Sequence, residues 1–169
     1  IWDGLVDSSL VWQGFVNTTI YNDNYNISIT SPAPITIYAN DGMGALDDIP
    51  FDTSTNNEFK TISEVLNDII SKSELSFSTI KTNNGLYIED TSSKNIFSYL
   101  SVNYMNYFDE NNLPMSCREV LNSIFQPLGL SMSFRGKEIY LIDPINLHNP
   151  SYGLSYDIST YTQSNSAIG

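Results

Sequence analysis

The sequence is nearly without the residues that staple small domains. Of its 169 residues, one is cysteine (Cys117) and one is histidine (His148). One thiol excludes an internal disulfide, and one Cys with one His falls short of the four ligands of a structural zinc site. No apolar run approaches the roughly 18 residues that a membrane-spanning helix needs. The sequence therefore predicts no disulfide, metal, cofactor or membrane span.

Basic residues are also scarce. The chain has 7 Lys and Arg against 19 Asp and Glu, which gives a formal net charge of −12. So few scattered cations cannot neutralise a row of phosphates, which argues against nucleic acid and against an anionic membrane surface as partners. Only 15% of the residues are charged and 41% are hydrophobic. This balance is typical of a folded chain whose polarity comes from Asn, Ser and Thr.

The first part of the chain, residues 1–57, has the pattern of β-strands. Residues 10–16 are rich in aromatic and β-branched side chains. Residues 25–29 and 35–39 alternate apolar with polar or small side chains at a period of two. We expect an antiparallel, β-rich subdomain here.

A change of period follows these strands. Apolar residues spaced three apart predict a short helical turn at 42–48, with Asp41 in the capping position. The polar loop at 53–57 is the expected subdomain boundary, and the length of the chain allows one ordinary domain or two small ones. Because the chain opens at Ile1 rather than Met, we also expect a piece of a longer protein.

The second part, residues 58–143, contains an internal repeat. Residues 61–70 match residues 116–125 in register, and each copy carries the apolar stripe of a helix with one buried face. Each copy opens with a capping box, formed by Thr61 with Glu64 and by Ser116 with Glu119. The identities extend to Asn67 and Asn122, which periodicity does not require, but any two helix–hairpin units share such periodicity, so a true duplication and a chance likeness both stay open.

A hairpin is predicted after each helix. The first pairs residues 75–80 with 86–88 around Asn83-Asn-Gly85, and the second pairs 130–134 with 138–142 around Arg135-Gly136-Lys137. The expected fold class is α+β: an antiparallel β-rich N-terminal part followed by two similar α-β-β units. These units span 61–90 and 116–143, and a Tyr- and Asn-rich connection joins them.

The last segment, residues 144–169, is predicted to be loop-like. Pro144 and Pro150 interrupt it, one late strand is indicated at 154–161, and residues 163–169 are expected to form a mobile end.

No catalytic constellation is visible in the sequence. Cys117 opens a predicted helix, where a thiol can become nucleophilic, but it occupies the register of Ile62 on the apolar stripe, which favours a buried small side chain. His148 is expected to lie in a surface loop. Acidic residues at 47–52 and 109–110 lack the glycine and glutamate of a calcium loop. We therefore expect no enzyme, with no catalytic, cofactor-binding or metal-binding residue.

Aromatic side chains give the better candidate for a site. They are interleaved with Asn and Asp, and we name as candidates Trp12, Tyr99, Tyr104, Tyr107 and Phe108. Flat rings beside amides suit sugar stacking, and the same composition suits a protein interface, where Tyr and Trp are enriched. The sequence leaves both interpretations open.

The order of several motifs resembles a known group of proteins. These motifs are Trp12-Gln-Gly-Phe-Val16, Ala39-Asn-Asp-Gly-Met43, Ile49-Pro-Phe51, Leu113-Pro-Met-Ser-Cys117 and Glu138-Ile-Tyr-Leu-Ile142. Over residues 10–143 the succession resembles tail-tip or baseplate-hub proteins of bacteriophages and prophages, particularly phages of gut Bacteroidetes. Gly44 and the absence of a preceding set of tube-like strands depart from that pattern.

The resemblance implies a non-catalytic structural role. It implies a virion component that is made in the bacterial cytoplasm and assembles with other tail or baseplate subunits. It also implies a homo-oligomer, for which a trimer fits the full assembly. The alternative is a carbohydrate-binding module of a gut bacterial surface protein, in which the aromatic candidates contact glycan.

Overall fold

The computed structural model describes residues 2–6, 9–17, 37–52, 58–83, 96–148, 154–161 and 163–165. Over these residues the chain is a mixed α+β structure, as predicted. Its strands are β1 (Trp2–Val6), β2 (Ser9–Val16), β3 (Ala39–Asp41), β4 (Phe59–Thr61), β5 (Thr79–Thr82), β6 (Ser101–Asn103), β7 (Ser131–Arg135), β8 (Glu138–Ile142), β9 (Leu154–Asp157) and β10 (Gln163–Asn165). Its α-helices are α1 (Gly42–Ala45), α2 (Ile62–Lys72), α3 (Ile96–Tyr99) and α4 (Cys117–Phe125). Single 3₁₀ turns span Tyr104–Tyr107, Gln126–Leu128 and Ile145–His148.

The N-terminal strands form a three-stranded antiparallel sheet in the order β1-β2-β3. This confirms the antiparallel character predicted for the N-terminal part, while the strand predicted at 25–29 lies outside the described residues. The helical turn after it is confirmed in shorter form as α1, whose first turn is capped by the Asp41 side chain accepting from the Gly44 amide at 3.0 Å.

Both predicted capping boxes are present. In α2 the Thr61 hydroxyl accepts from the Glu64 amide at 3.3 Å, and the Glu64 carboxylate accepts from the Thr61 amide at 2.8 Å. The same exchange joins Ser116 and Glu119 at the start of α4. These bonds satisfy amides that a helix start leaves without partners, which explains why the helices begin where the sequence predicts.

The main sheet has five strands in the order β10-β9-β5-β8-β7. The second predicted hairpin is confirmed as β7 and β8, which are antiparallel and turn at Gly136 with φ of 56°. The first predicted hairpin is wrong in its pairing. All four residues of β5 pair in parallel with β8 on one side and antiparallel with β9 on the other, and residues 86–88 lie outside the described residues.

The repeat holds for the two helices and their caps but not for the strands after them. The register that aligns Thr61 with Ser116 would place β5 on residues 134–137, which comprise the end of β7 and its turn into β8. Helix caps are local, whereas strand pairing depends on which edges of the sheet are filled. Similar helices therefore precede different strand arrangements.

One apolar core lies between the helices and the main sheet. Its buried members are Met43, Leu46, Phe51, Ile62, Val65, Leu66, Ile69, Ile80, Ile96, Phe97, Tyr107, Cys117, Val120, Leu121, Ile124, Phe125, Leu130, Ile139, Leu141, Tyr156 and Tyr161. Residues on both sides of the predicted boundary at 53–57 share this core. Backbone bonds also cross that boundary, from the Phe51 amide to the Met115 carbonyl and from the Cys117 amide to the Ile49 carbonyl, both at 2.8 Å.

The C-terminal segment is more ordered than the sequence predicts. The late strand is confirmed as β9, and residues 163–165, expected to be mobile, pair with it as β10. Tyr161 is buried, and its hydroxyl donates to the Ser63 carbonyl at 3.2 Å and to the Asn67 side chain at 3.0 Å. Sequence periodicity could not predict this anchoring because it depends on contacts with α2, far away in the chain.

Within the described ranges, no helix combines the length and the apolar character that crossing a membrane requires.

Candidate interaction surface

In strand β4 the aromatic side chain faces solvent and the basic side chain faces inward, which is the reverse of what hydrophobicity predicts. Phe59 is 62% exposed, whereas the neighbouring Lys60 is 6% exposed and its ammonium forms an ion pair with Asp68 of α2. Because side chains alternate along a strand, a one-residue shift of register would bury the ring and expose the cation. The observed register instead buries a charge, which is costly unless it is paired, and leaves an aromatic ring at the surface.

Strand β6 holds Phe59 in a defined frame. The two strands pair with Phe59 opposite Asn103 and Lys60 opposite Val102. The Asn103 amide donates to the Glu58 carboxylate at 3.0 Å, and its oxygen accepts from the Met105 backbone amide at 2.9 Å. Met105 is exposed. Phe59 and Met105 are thus presented by neighbouring, hydrogen-bonded segments.

A tight turn at residues 109–113 adds a third apolar side chain. The Asp109 carboxylate accepts from the backbone amides of Asn111 and Leu113, both at 2.8 Å. These bonds, chiefly the one from Leu113, hold the pKa of Asp109 below its ordinary value. Asn112 takes a left-handed conformation with φ of 62°. The turn leaves Leu113 exposed, and its acidic residue organises the loop through backbone amides.

Tyr99 completes the surface. It is exposed at the end of α3, and the next residue, Leu100, accepts through its carbonyl from the Ile62 amide at 3.0 Å, where β4 passes into α2. We call the set of Phe59, Tyr99, Met105 and Leu113 the ribbon surface.

The aromatic candidates from the sequence are divided by the structure. Tyr104 and Phe108 are half-buried and meet edge to face, with 6.1 Å between ring centroids. Tyr107 is only 7% exposed and packs edge to face on Phe51, with 5.7 Å between centroids. Burial raises the pKa of Tyr107, against a lowering hydrogen bond with Ser123. Tyr107 is therefore a core side chain rather than a surface contact.

Trp12 lies on β2 of the N-terminal sheet, whereas the other candidates lie at the end of α3 and in or next to the 3₁₀ turn at Tyr104–Tyr107. It is half-buried and its ring lies on Gly14, where a Cβ atom would come within 2.4 Å of the Trp12 ring and 2.3 Å of the Asn40 carbonyl oxygen. Only glycine fits at this position. The structure does not bring Trp12 onto the ribbon surface.

Gln13, beside Trp12, joins the N-terminal sheet to the rest of the molecule. Its buried amide nitrogen donates to the carbonyls of Ser76 at 3.0 Å and Gly136 at 2.7 Å, while its oxygen accepts from the Ser76 amide at 3.3 Å. The side chain thereby imitates a backbone peptide group. Nothing in its local sequence distinguishes it from a surface glutamine, and sequence reasoning missed it.

The described side chains among the candidates for chemistry do not form a site. Cys117 is fully buried, as its place on the apolar stripe predicts, and burial raises the pKa of its thiol. The backbone of His148 lies in a 3₁₀ turn, and its side chain is outside the described residues. Asp47 pairs with Arg118 at 2.7 Å. Among the residues that the structure describes, no three His, Cys, Asp or Glu side chains are grouped so as to hold a metal ion.

A charged network lies on the face of the main sheet opposite the core. The Lys81 ammonium is 2.8 Å from the Glu138 carboxylate, to which the Tyr140 hydroxyl also donates at 2.5 Å. Burial raises the pKa of Glu138, but the hydrogen bonds from Lys81 and Tyr140 outweigh it and the net shift is downward. The groups satisfy one another across β5 and β8, so the network serves the sheet.

Sequence reasoning also missed Phe59, Met105 and Leu113. Alternation in a three-residue strand does not reveal which side faces the core, and the default assignment would bury Phe59 and expose Lys60. Leu113 did carry a signal, because it is a lone apolar residue between polar turn residues and Pro114.

The ribbon surface is therefore an exposed apolar set on an ordered frame next to a buried core. No protein-family model matches the chain, and no curated protein or solved structure matches it either.

Proposed function

We propose that the chain is a non-catalytic structural component of a phage tail tip or baseplate hub and works through protein–protein contacts. The proposal of protein–protein contacts rests on strand β4, in which Phe59 is exposed and Lys60 is buried. Exposing a Phe forgoes roughly 1.5–3 kcal/mol of burial. A partner that covers the ring in the assembly would recover that stabilisation.

The phage assignment is supported by the ordered motifs between residues 10 and 143. On this proposal identical chains assemble around the tail axis as a homo-oligomer, with a trimer compatible with the full assembly, and contact other tail or baseplate subunits. The protein is made in the bacterial cytoplasm and resides in the virion. The net charge of −12 would then keep the genome from adhering to the subunit during ejection.

A carbohydrate-binding module is the second candidate, and one feature favours it. The ring pair of Tyr104 and Phe108 is followed within a few residues along the chain by the exposed Asn111 and Asn112. Rings beside amides are the elements of a sugar-stacking site, but both rings are half-buried and less available than Phe59. We therefore rank protein assembly first.

Immunogold electron microscopy tests the assignment. An antibody against the chain is applied to particles from an induced culture of the source organism, with an antibody against a cytoplasmic protein as control. The proposal expects gold at the tail tip. Unlabelled particles from a lysate that contains the protein would contradict it.

A glycan array run in parallel tests the second candidate. A carbohydrate-binding module would give reproducible sugar selectivity that Tyr104→Ala removes. Protein assembly as the sole role predicts no selective signal.

A further inference from the structure

The rim of the ribbon surface is acidic. Glu58 directly precedes Phe59, and Asp109 and Glu110 precede Leu113 in the neighbouring turn; all three are exposed. The adjacent amide groups of Asn111 and Asn112 are uncharged. Negative charge therefore lies next to Phe59 and close to Leu113 along the chain.

The basic side chain of the β4–β6 pair is withdrawn from the same surface. Lys60 is turned inward to Asp68 and is only 6% exposed. Within the described part of the ribbon surface, the exposed charges are thus of one sign.

We infer that the ribbon surface binds a protein that presents Lys or Arg side chains around an apolar recess. The inference rests on the proposed function in taking the occupant to be a protein, and it names the chemistry of that partner. Phe59, Met105 and Leu113 would fill the recess, and Glu58, Asp109 and Glu110 would face the cations. Apolar anchors supply most of the affinity of an interface, and complementary rim charges supply association rate and selectivity.

A second copy of this chain does not fit the same surface. Each copy carries a formal net charge of −12, and a symmetric contact would bring the two acidic rims together. Like charges placed opposite each other oppose association. Contacts between identical copies must then use other surfaces of the chain.

The test uses two defined probes on the full chain. The probes are amphipathic peptides with the same leucine face, one with lysine and one with glutamate at every polar position. Each is titrated into ¹⁵N-labelled protein, and amide chemical shifts locate the contact. We expect the lysine peptide to shift the amides of Phe59, Met105 and Leu113, and the glutamate peptide to bind at least about tenfold more weakly.

Matched variants separate a specific contact from general attraction to an acidic chain. Phe59→Ser should lower the affinity for the lysine peptide by about tenfold or more. Ile145→Ser removes a side chain that is 87% exposed elsewhere and should leave the affinity unchanged. Raising the salt concentration should weaken binding of the lysine peptide, because salt screens the charges at the rim of the surface.

Three results would overturn the inference. The first is equal loss of affinity in Phe59→Ser and Ile145→Ser, and the second is equal binding of the two peptides. The third is sedimentation showing a dimer that Phe59→Ser dissociates, which would assign the surface to a second copy. Each of these leaves gold at the tail tip unaffected, so failure of the inference is distinct from failure of the proposed function.

Discussion

The attachment of the N-terminal sheet should depend on the single side chain of Gln13. The N-terminal strands supply no described member of the apolar core, whereas Gln13 makes three hydrogen bonds with Ser76 and Gly136. In Gln13→Ala the buried Gly136 carbonyl loses its partner, at about 1–3 kcal/mol, and the two bonds to the exposed Ser76 contribute about 0.5–1.5 kcal/mol each. We expect a total loss of about 2–6 kcal/mol.

The two tryptophans of the chain make this prediction easy to resolve. Trp2 and Trp12 both belong to the N-terminal sheet, so tryptophan fluorescence follows that sheet, while far-ultraviolet circular dichroism follows α2 and α4. In urea, wild type should show one common transition. Gln13→Ala should unfold earlier by fluorescence than by circular dichroism.

Two further variants check the reasoning. Gln126→Ala removes an exposed glutamine and should change stability by less than about 0.5 kcal/mol. Gln13→Glu keeps the shape but places a carboxylate against two carbonyls, so it should be the more destabilising variant at neutral pH. A Gln13→Ala protein as stable as Gln126→Ala by both probes would refute the role of the three bonds.

Three other predictions concern the core and its charges. Leu121→Ala should lower the free energy of unfolding in urea by about 2–5 kcal/mol because Leu121 is buried in α4. Leu113→Ala, at an exposed position, should lower it by less than about 0.5 kcal/mol, and equal losses would contradict the helix placement. Burial raises the pKa of Tyr161 from 10.0 to about 12, so the folded chain holds that proton where the unfolded chain has released it. The stabilisation from this group is then fully present below pH 10 and falls by about 2–3 kcal/mol as the pH rises to about 12. Tyr161→Phe should remove this contribution to the pH dependence of unfolding, and an unchanged slope in the variant would contradict the prediction. Lys60→Met combined with Asp68→Leu should leave stability unchanged or raise it by up to about 4 kcal/mol, since apolar packing replaces both partners of the ion pair; a large loss in thermal unfolding would show that the pair itself stabilises the fold.

Local features of the fold were predictable from the sequence. The capping boxes at Thr61 and Ser116 and the turn at Gly136 each depend on a few consecutive residues. The burial of Cys117 followed from helical periodicity. The α+β class followed from the same signals.

Non-local features were not predictable in this way. The partners of β5 are decided by which segments reach its two edges, and no pattern within residues 75–90 encodes them. The anchoring of Tyr161 on Asn67 and the inward turn of Lys60 depend on neighbours that only the folded chain brings together. Of the aromatic candidates from the sequence, Tyr99 is exposed in the folded chain, whereas the exposed Phe59 was not among them because aromatic residues in strands are usually assigned to the core.

The position of β5 also affects how the protein can be made. Ile80 sits between Ile139 and Tyr156 in the completed sheet, so both neighbours of β5 are synthesised well after β5 itself. A ribosome must extend the chain well past β9 before either hydrophobic face of this sheet can close. Pairings of such high contact order form slowly, and the waiting strand is exposed to aggregation. Production of the subunit should therefore depend on chaperone capacity and on translation reaching the C-terminal strands intact.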